Sequence, residues 1–565
     1  MAGWKRASAA CAVGVLLLAA CAPARPGPAQ SSASQAPSGP KRITATIMAD
    51  PPALVQDLTG FGLRGTDAVE ELVLSGLTTD DNRGVLRAVL AEAVPTVDSG
   101  RWLVHPDGRM EMSWRIREGA RWHDSTPLTA EDLVFAARVG QDRDIPEFGD
   151  VGFSFVESVE AVDPRTVRVT WKSPFIEADR MFGTRAFASP MPRHLLERPY
   201  IENKAGFTQL PYWSDEFVGT GPFRVREFAR GSHLLLEANE QYVLGRPRID
   251  ILDIRFIPDP TTIVANMLAG TVELTLGKTL SVEQAIEVRN QWRDGRVDLS
   301  PSNALSIYSQ FLNPNPVVVT DLRFRRALLH AIDRQALVDS LLGGLSTVAH
   351  SFMFPGQEQY RDIEGRLTRY EYDSRRAGQI IEGLGYSRGA DGFFRDPANQ
   401  PLAVELRTYT VDINQKATLA VADSWQRVGV RVEPLVMSPQ ATQNNEYVFT
   451  YPAFLLQRYT SDVSGLKNLY SSRAPRPENN FRSGNVSRYV NAELDTLLDR
   501  FFLTIPAAER TQVLGGILHH IADNLTQMGL FFDAEPTMIA NRLVNLSARW
   551  PSATQAWNAH EWDVR

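Results

Sequence analysis

One triplet in the sequence has chemistry that suits a carboxylate. Arg407, Thr408 and Tyr409 stand at the end of a predicted strand, 402–408, and a break at 412–414 follows. A planar guanidinium can donate two parallel hydrogen bonds to a carboxylate. Arg407 is therefore either a ligand-binding group with Tyr409 beside it or a charge that water solvates at the strand end.

Further candidates lie near other predicted strand ends. Polar groups there could orient a ligand in a cleft while aromatic side chains bury its surface. These ligand-contact candidates are Gln310, Asn313, Arg458, Tyr459 and Asp462. For Gln310 and Asn313, capping the backbone of the turn at 313–316 is an equal alternative.

The sequence lacks the strings typical of catalytic or metal sites. It has no HExxH, GxSxG, dinucleotide-binding glycine loop or Cys/His ligand spacing. The pair His123-Asp124 has no nucleophile at a motif spacing, and His519 and His520 are neighbours that would face different sides of a helix. We therefore predict no catalytic residue, no metal and no cofactor.

Alternating strands and helices must position the candidates. The residue pattern predicts a strand at 306–312, a single helix from Thr320 or Asp321 to the glycines at 343–344, and a hairpin at 102–116. It also predicts a capping box between Thr129 and Asp132 and an edge strand at 167–171.

Length and composition indicate a soluble protein of two or three domains. The chain has 565 residues, 43% of them hydrophobic and 22% charged. Its formal net charge is −7, which gives no basic surface for nucleic acid. Its two cysteines, Cys11 and Cys21, both precede the predicted folded body, so that body has no disulfide.

The first residues have the pattern of an export signal. Lys5 and Arg6 precede a small apolar run at 7–20, and Cys21 follows it. The sequence LAAC at 18–21 resembles a bacterial lipobox, which implies a lipid on Cys21; an ordinary signal peptide or a membrane anchor is the alternative, but the run is shorter than the roughly 20 residues that span a bilayer. Residues 22–40 are rich in Pro, Ala and Ser and are predicted to form a flexible tether.

Several strings, in order along the chain, resemble the family 5 extracytoplasmic solute-binding proteins of ABC importers. The strings are HDSTPLTA at 123–130, GTGPF at 219–223, FLN at 311–313 with DLRFRRAL at 321–328 and AIDR at 331–334, and YVNAELDTLL at 489–498. Ser125 stands where the family usually has glycine.

The resemblance implies an α/β, two-lobed periplasmic-binding-protein-like fold of the large cluster C type, with an extra subdomain inserted in the first lobe. The expected divisions are a lipoprotein signal peptide (1–20), a tether (21–41), lobe I (42–70, 210–302 and 530–565), the inserted subdomain (71–209) and lobe II (303–529). The lobes would close on a ligand without catalysis.

The resemblance also suggests a ligand and partners. In the dipeptide-binding branch, an Arg-x-Tyr like that of Arg407 and Tyr409 helps to hold the ligand's carboxylate, and peptide binders place a Gly-Asp near Asp462 for the α-amino group. This chain has no clean Gly-Asp, so either Asp462 substitutes or the ligand lacks an amino terminus.

We expect a monomer at the periplasm or outer face of the cell membrane that delivers a peptide-like or other small polar solute to ABC permease subunits. An exported hydrolase and a chaperone-like lipoprotein are the alternatives.

Overall fold

The structure is a computed structural model that describes residues 39–48, 50–59, 65–438, 440–481, 484–551 and 553–565. The predicted signal peptide, Cys21 and nearly all of the tether lie outside these residues. Within them, no helix combines the length and the apolar composition that a bilayer crossing requires.

The described residues form a mixed α/β protein, as predicted. The α-helices α1 to α13 are Thr66–Val73, Ala130–Gly140, Arg193–Glu202, Pro260–Leu268, Val282–Gln291, Leu322–His330, Arg334–Leu342, Glu358–Glu364, Ser374–Glu382, Asp412–Val428, Asn445–Phe449, Ala492–Leu503 and Ala507–Asn524. The strands β1 to β20 are Arg42–Ile47, Thr78–Asp80, Leu86–Ala88, Trp102–Val104, Met110–Arg115, Val156–Asp163, Thr166–Trp171, Phe223–Ala229, His233–Ala238, Ile251–Phe256, Leu274–Thr275, Gly295–Ser309, Ser387–Arg388, Phe394–Arg395, Ala403–Thr408, Arg431–Val436, Phe454–Tyr459, Gln527–Ala540, Leu543–Val544 and Asp563–Val564.

One ten-stranded sheet runs through both lobes, in the order β16-β15-β17-β12-β18-β11-β1-β10-β9-β8. At one end β15 pairs in parallel with β16 and β17, and at the other β1 pairs in parallel with β10 and β11. Parallel neighbours need helical crossovers, and α10 supplies the one between β15 and β16. Each lobe is therefore an α/β unit.

The long strands β12 and β18 lie next to each other in the middle of this sheet and join its two halves. They pair antiparallel from Gly295↔Ala540 to Tyr308↔Gln527, with register shifts between Pro301 and Ala304 and between Leu305 and Ser306. From Ala304 onward, β12 also pairs with β17 on its other side. A β-bulge bends and twists a strand, so the sheet changes direction at these register shifts. We call this stretch of β12 and β18 the strand crossing.

A separate antiparallel sheet, β4-β5-β7-β6, lies in the segment 102–171. The hairpin prediction is confirmed by β4 and β5, and the Thr129–Asp132 capping box starts α2. The edge-strand prediction for 167–171 is wrong, because β7 lies between β5 and β6. Alternation marks a strand with one buried face, and this holds for inner strands of an antiparallel sheet too.

Two further local predictions need correction. The strand predicted at 306–312 starts at Gly295 and ends at Ser309. The helix predicted from 320 to 342 is two helices, α6 and α7, because the Asp333 carboxylate accepts a hydrogen bond from Ala336 N at 2.9 Å and caps a new helix start. Gly343 ends α7 in the left-handed region, as predicted.

The turn at 219–223 packs directly against the end of α1. A Cβ on Gly221 would lie 2.4 Å from the carbonyl carbon of Val73 and 2.6 Å from Leu72 O. Beside it, Thr220 Oγ1 donates to Ser75 O at 2.6 Å. Glycine is needed here because backbone meets backbone.

The HDSTPLTA string binds the same turn through His123. Gly219 N donates to His123 Nδ1 at 3.1 Å, and His123 Nε2 lies 3.1 Å from Gly221 O, so Nε2 carries the proton. Burial lowers the pKa of His123 to about 4, which keeps the ring neutral. His123 thus has a structural role. Ser125, with a φ of 72°, adopts the left-handed conformation that favours glycine.

Gly221→Ala should destabilise the protein by at least about 2 kcal/mol, because the new methyl group meets the backbone of α1 rather than a side chain that can move. Urea unfolding followed by circular dichroism measures this loss. Gly365→Ala is the matched control, since its Cβ would meet nothing within 4 Å. Equal midpoints for the two variants would contradict the packing of turn against helix.

Candidate functional site

A buried ion-pair group lies where the two lobes meet. Asp533, on β18, is 3% exposed. Its Oδ2 accepts from Lys278 Nζ at 2.9 Å and is 2.7 Å from an Arg458 guanidinium nitrogen. Lys278 follows β11 and Arg458 is on β17, so one carboxylate joins the two strands that flank the central β12–β18 pair of the large sheet. We call Lys278, Asp533 and Arg458 the junction triad.

Polar contacts at the strand crossing surround the triad. Ala304 N donates to Ser461 Oγ at 2.6 Å, just after β17, and Ser302 Oγ donates to Glu535 at 3.1 Å. These bonds occupy the stretch of β12 where the register shifts. The crossing therefore has side-chain hydrogen bonds where regular strand pairing is interrupted.

A second charged group extends from the crossing to α1. Arg549 lies 3.0 Å from Asp67 Oδ2 on α1 and 3.8 Å from Glu535 on β18. Burial alone would raise the pKa of Asp67, but the nearby Arg549 and Arg185 lower it. The net effect is a lowered pKa, so this carboxylate is charged at neutral pH.

Two more carboxyl groups of α1 are buried, at Glu70 and Glu71. Glu71 accepts from Thr79 Oγ1 and from Thr554 Oγ1, both at 2.5 Å. Glu70 accepts from Gln56 N at 2.9 Å. Burial, and secondarily the Asp57 carboxylate, raise the pKa of Glu70 to about 8. The helix thus brings both charged and protonated carboxyl groups to one buried region.

The lobes also touch through aromatic and charged side chains outside the triad. Phe354 and Trp550 pack edge to face with ring centroids 5.4 Å apart, and Phe354 packs in the same way on Phe532 of β18 at 5.3 Å. Lys467 Nζ lies 2.5 Å from Glu177 Oε2. These contacts hold residues from distant parts of the sequence against each other across the junction.

The junction is built from paired charges and aromatic contacts. Within the described residues, no group of three or more His, Cys, Asp or Glu side chains is arranged to hold a metal ion. The charged groups pair with one another across the junction, and aromatic rings lie beside them.

Residues 92–480 match the family model for bacterial extracellular solute-binding proteins, family 5. The chain belongs to this family.

Named relatives of this family 5 protein align over most of their length. It is 24% identical to the oligopeptide-binding protein AppA of Bacillus subtilis over 476 residues, which cover 83% of this chain and 82% of the relative. It is also 24% identical to heme-binding protein A of Haemophilus influenzae over 470 residues, or 79% of this chain and 78% of the relative.

Solved structures share the two-lobed α/β fold of this solute-binding protein. HbpA2 from Haemophilus parasuis superposes with a TM-score of 0.75 at 19% identity, covering 93% of this chain and all of the other. NikA from Brucella suis, in complex with Fe(III)-EDTA, gives 0.74 at 17% identity with the same coverage. At these identities the likeness concerns the fold.

The structure buries Arg407 near the end of β15. It is 6% exposed, its Nε donates to Glu405 at 2.8 Å, and another guanidinium nitrogen donates to Tyr447 O at 2.5 Å. The guanidinium also stacks 4.3 Å from the centre of the Tyr447 ring. Tyr409 is half-buried near it, and burial raises the pKa of its hydroxyl to about 12.

Gln310 and Asn313 occupy contrasting positions. Gln310 is 1% exposed and donates to Tyr451 O at 2.9 Å and to Phe449 O at 3.2 Å, while its Oε1 accepts from Leu312 N. Asn313 is exposed and has a φ of 66°. Gln310 therefore ties β12 to the segment before β17, and Asn313 makes the turn that follows.

Of the three candidates at 458–462, Arg458 belongs to the junction triad. Tyr459 is 6% exposed and donates its hydroxyl to Gly465 O at 2.6 Å. Asp462 caps the short helical turn Val463–Leu469 by accepting from Ser464 N at 2.8 Å. The structure thus brings together Arg458, Tyr459 and Asp462 along one strand end, and Arg407 and Gln310 are buried.

Sequence reasoning missed the junction carboxylates. Asp533 is a single acid within the apolar run LFFDA, and α1 carries Asp67, Glu70 and Glu71 among buried apolar residues. A charge inside an apolar stretch needs a partner on folding, and this signal could have singled these residues out.

Glu70→Gln should remove a pH-dependent loss of stability. Because the folded pKa, about 8, lies above the model value of 4.5, this carboxyl group favours the folded state at low pH, and that contribution is lost as the pH rises through 8. The variant should match the wild type near pH 4.5 and exceed its unfolding free energy by on the order of 3 kcal/mol at pH 9.

Urea unfolding at pH 4.5, 7 and 9 measures this difference. Glu118→Gln, at an exposed position, is the control and should follow the wild-type profile. A Glu70→Gln profile parallel to that of the wild type would contradict a buried, protonated Glu70.

Proposed function

We propose that this chain is the substrate-binding subunit of an ABC importer and captures a peptide-like or other small polar solute between its lobes. The matched family, whose members bind solutes outside the cell, carries the proposal. Relatives from several Brucella species, named putative ABC transporter peptide-binding proteins, are 26% identical over 269 residues and support the importer role. The subunit binds its solute without converting it.

The proposed lobes follow the sequence divisions: lobe I at 42–70, 210–302 and 530–565, with a subdomain at 71–209, and lobe II at 303–529. The separate sheet β4-β5-β7-β6 supports the subdomain. The hydrogen bond from the Arg542 guanidinium to Arg42 O, at 2.7 Å, supports the return of the C-terminal segment to the first strand of lobe I.

The hinge of this proposal is the crossing of β12 and β18. Domain closure in binding proteins turns on a few residues that absorb backbone rotation. Here the register shift between Pro301 and Ala304 interrupts the strand pairing, and side-chain hydrogen bonds hold this short stretch of β12 in place. Rotation of the backbone there would separate Phe354 from Trp550. The solute would then enter between the lobes.

We propose that Arg458 contacts the solute directly, with Tyr459 and Asp462 at the same strand end. Arg458 is 30% exposed on its side chain, and its Nε has no hydrogen-bond partner among the described residues. Arg458 can therefore bind a carboxylate of the solute while it keeps its ion pair with Asp533. We propose that Arg407, Tyr409, Gln310 and Asn313 shape lobe II around this contact.

Solute released from purified protein and identified by mass spectrometry should stabilise the protein in proportion to the logarithm of its concentration. Arg458→Ala should weaken binding at least tenfold, because a charged hydrogen-bond donor is lost. Calorimetric titration measures the affinity. The solute recovered after incubation with the protein should have the same mass as the solute that was added.

Arg427→Ala, which removes an exposed arginine on α10, should bind as the wild type does. Undiminished affinity in Arg458→Ala would remove this residue from the site. Conversion of the solute into a product would favour the exported hydrolase instead.

We further propose that processing before Cys21 leaves a lipid on this residue, so that the mature protein has a formal charge of −9 and stays at the outer face of the cell membrane. The mature charge follows from the loss of Lys5 and Arg6, which leaves 57 basic against 66 acidic residues.

Cys21→Ala should move the protein from the membrane pellet to the soluble extracytoplasmic fraction and abolish labelling by radioactive palmitate. Cys11→Ala should change neither result, because it lies in the segment that is removed. A Cys21→Ala protein that is still labelled would contradict lipidation at this residue.

A further inference from the structure

A cavity on the surface of lobe II is lined by four arginines. Its volume is about 540 Å³, and it lies between α6, α9, the segment 368–370 and the end of α13. The arginines are Arg323, Arg326, Arg369 and Arg376, and the one carboxylate in the lining is Asp523. Such a concentration of positive charge is unexpected in a chain whose net charge is −7.

The spacing of residues on two helices produces this lining. Arg323, Arg326 and His330 are three and four residues apart on α6, so they share one face. Arg376, in the first turn of α9, and Ile380 are four residues apart and face the same cavity. The packing of α6 on α9 therefore directs guanidinium groups of two helices to one place.

The charges of the lining are incompletely balanced. Arg323 pairs with Asp321 at 2.8 Å and Arg369 with Glu364 at 3.7 Å. Within the described residues, neither Arg326 nor Arg376 has a carboxylate within the 4.0 Å of an ion pair. The lining carboxylate, Asp523, accepts from Thr368 Oγ1 at 2.6 Å.

Arg326 also has unused hydrogen-bonding capacity. One guanidinium nitrogen reaches the backbone oxygen of Asp523 at 3.5 Å, and its buried Nε has no partner. A buried donor without an acceptor destabilises the folded state, and a charged one does so more strongly. Mutual repulsion of nearby cations adds to this cost. An anion in the cavity would offset this repulsion.

We propose that this cavity binds a multivalent oxyanion of the phosphate class. Guanidinium groups match the oxygens of phosphate bidentately, and several of them around a concave site favour a compact ligand with two or more negative charges. A volume of about 540 Å³ exceeds that of a single phosphate, so the ligand is a diphosphate, a phosphate ester or the headgroup of an anionic phospholipid. The site is independent of the solute cleft.

The test is calorimetric titration of the full chain with inorganic pyrophosphate at fixed ionic strength. Saturable one-site binding is expected. Arg326→Ala/Arg376→Ala should weaken it at least tenfold, and neither substitution leaves a carboxylate without its ion pair. Arg376→Ala alone, at an exposed position, should weaken it by a smaller factor and avoids any effect on folding.

Arg375→Ala is the matched control, since it removes the neighbouring exposed arginine of α9, which does not line the cavity. It should leave pyrophosphate affinity unchanged. Equal weakening in Arg375→Ala and Arg376→Ala, or the absence of saturable binding to every phosphate probe, would overturn the proposal.

A second arm distinguishes the source of the phosphate. Sedimentation with phosphatidylcholine vesicles containing phosphatidic acid uses the full chain with Cys21→Ala, so that the lipid anchor does not contribute. Vesicle binding that is lost on adding Arg326→Ala/Arg376→Ala identifies a lipid headgroup as the ligand. Pyrophosphate binding without vesicle binding identifies a soluble phosphate.

Discussion

The pairing of β12 with β18 is the constraint on which the structure depends. These two strands lie at the centre of one ten-stranded sheet and join its halves, and each has a different outer neighbour, β17 for β12 and β11 for β18. The sheet remains continuous only if both strands keep their hydrogen bonds through the crossing. The register shift between Pro301 and Ala304 lies at this point, so pairing is least regular where the two α/β units join. The proposed hinge lies in the same strands that hold the two units together.

Buried charge at this crossing imposes a second requirement. Asp533, Glu535 and Asp67 are held by cations from other parts of the chain, since a buried carboxylate without a partner would destabilise the fold. On the proposed function, a polar solute would meet these ion pairs, and Arg458 would bind it while keeping its ion pair with Asp533. Charge complementarity of that kind favours solutes with ionised groups and disfavours apolar ones of the same size.

The cavity between α6 and α9 contrasts with this region. At the junction, cations and carboxylates from the chain satisfy one another, whereas two arginines of the lobe II cavity have no acidic partner within the described residues. Uncompensated charge at a concave surface is a property of sites completed by a ligand. The two regions lie in different parts of the fold. One chain can therefore contain both a junction whose charges are paired and a cavity whose arginines lack acidic partners among the described residues.

The sequence alone determined the α/β class, the capping box at Thr129, the end of α7 at Gly343 and the family, because local spacing and short strings encode these features. Tertiary structure decided that β7 lies inside its sheet, that Asp333 divides one expected helix into two, and that Arg407 bonds to Glu405 and Tyr447. It also decided that Lys278, Asp533 and Arg458 meet, although they are far apart in the chain. Such contacts depend on which strands become neighbours in the sheet, and periodicity along the chain contains no information about that order.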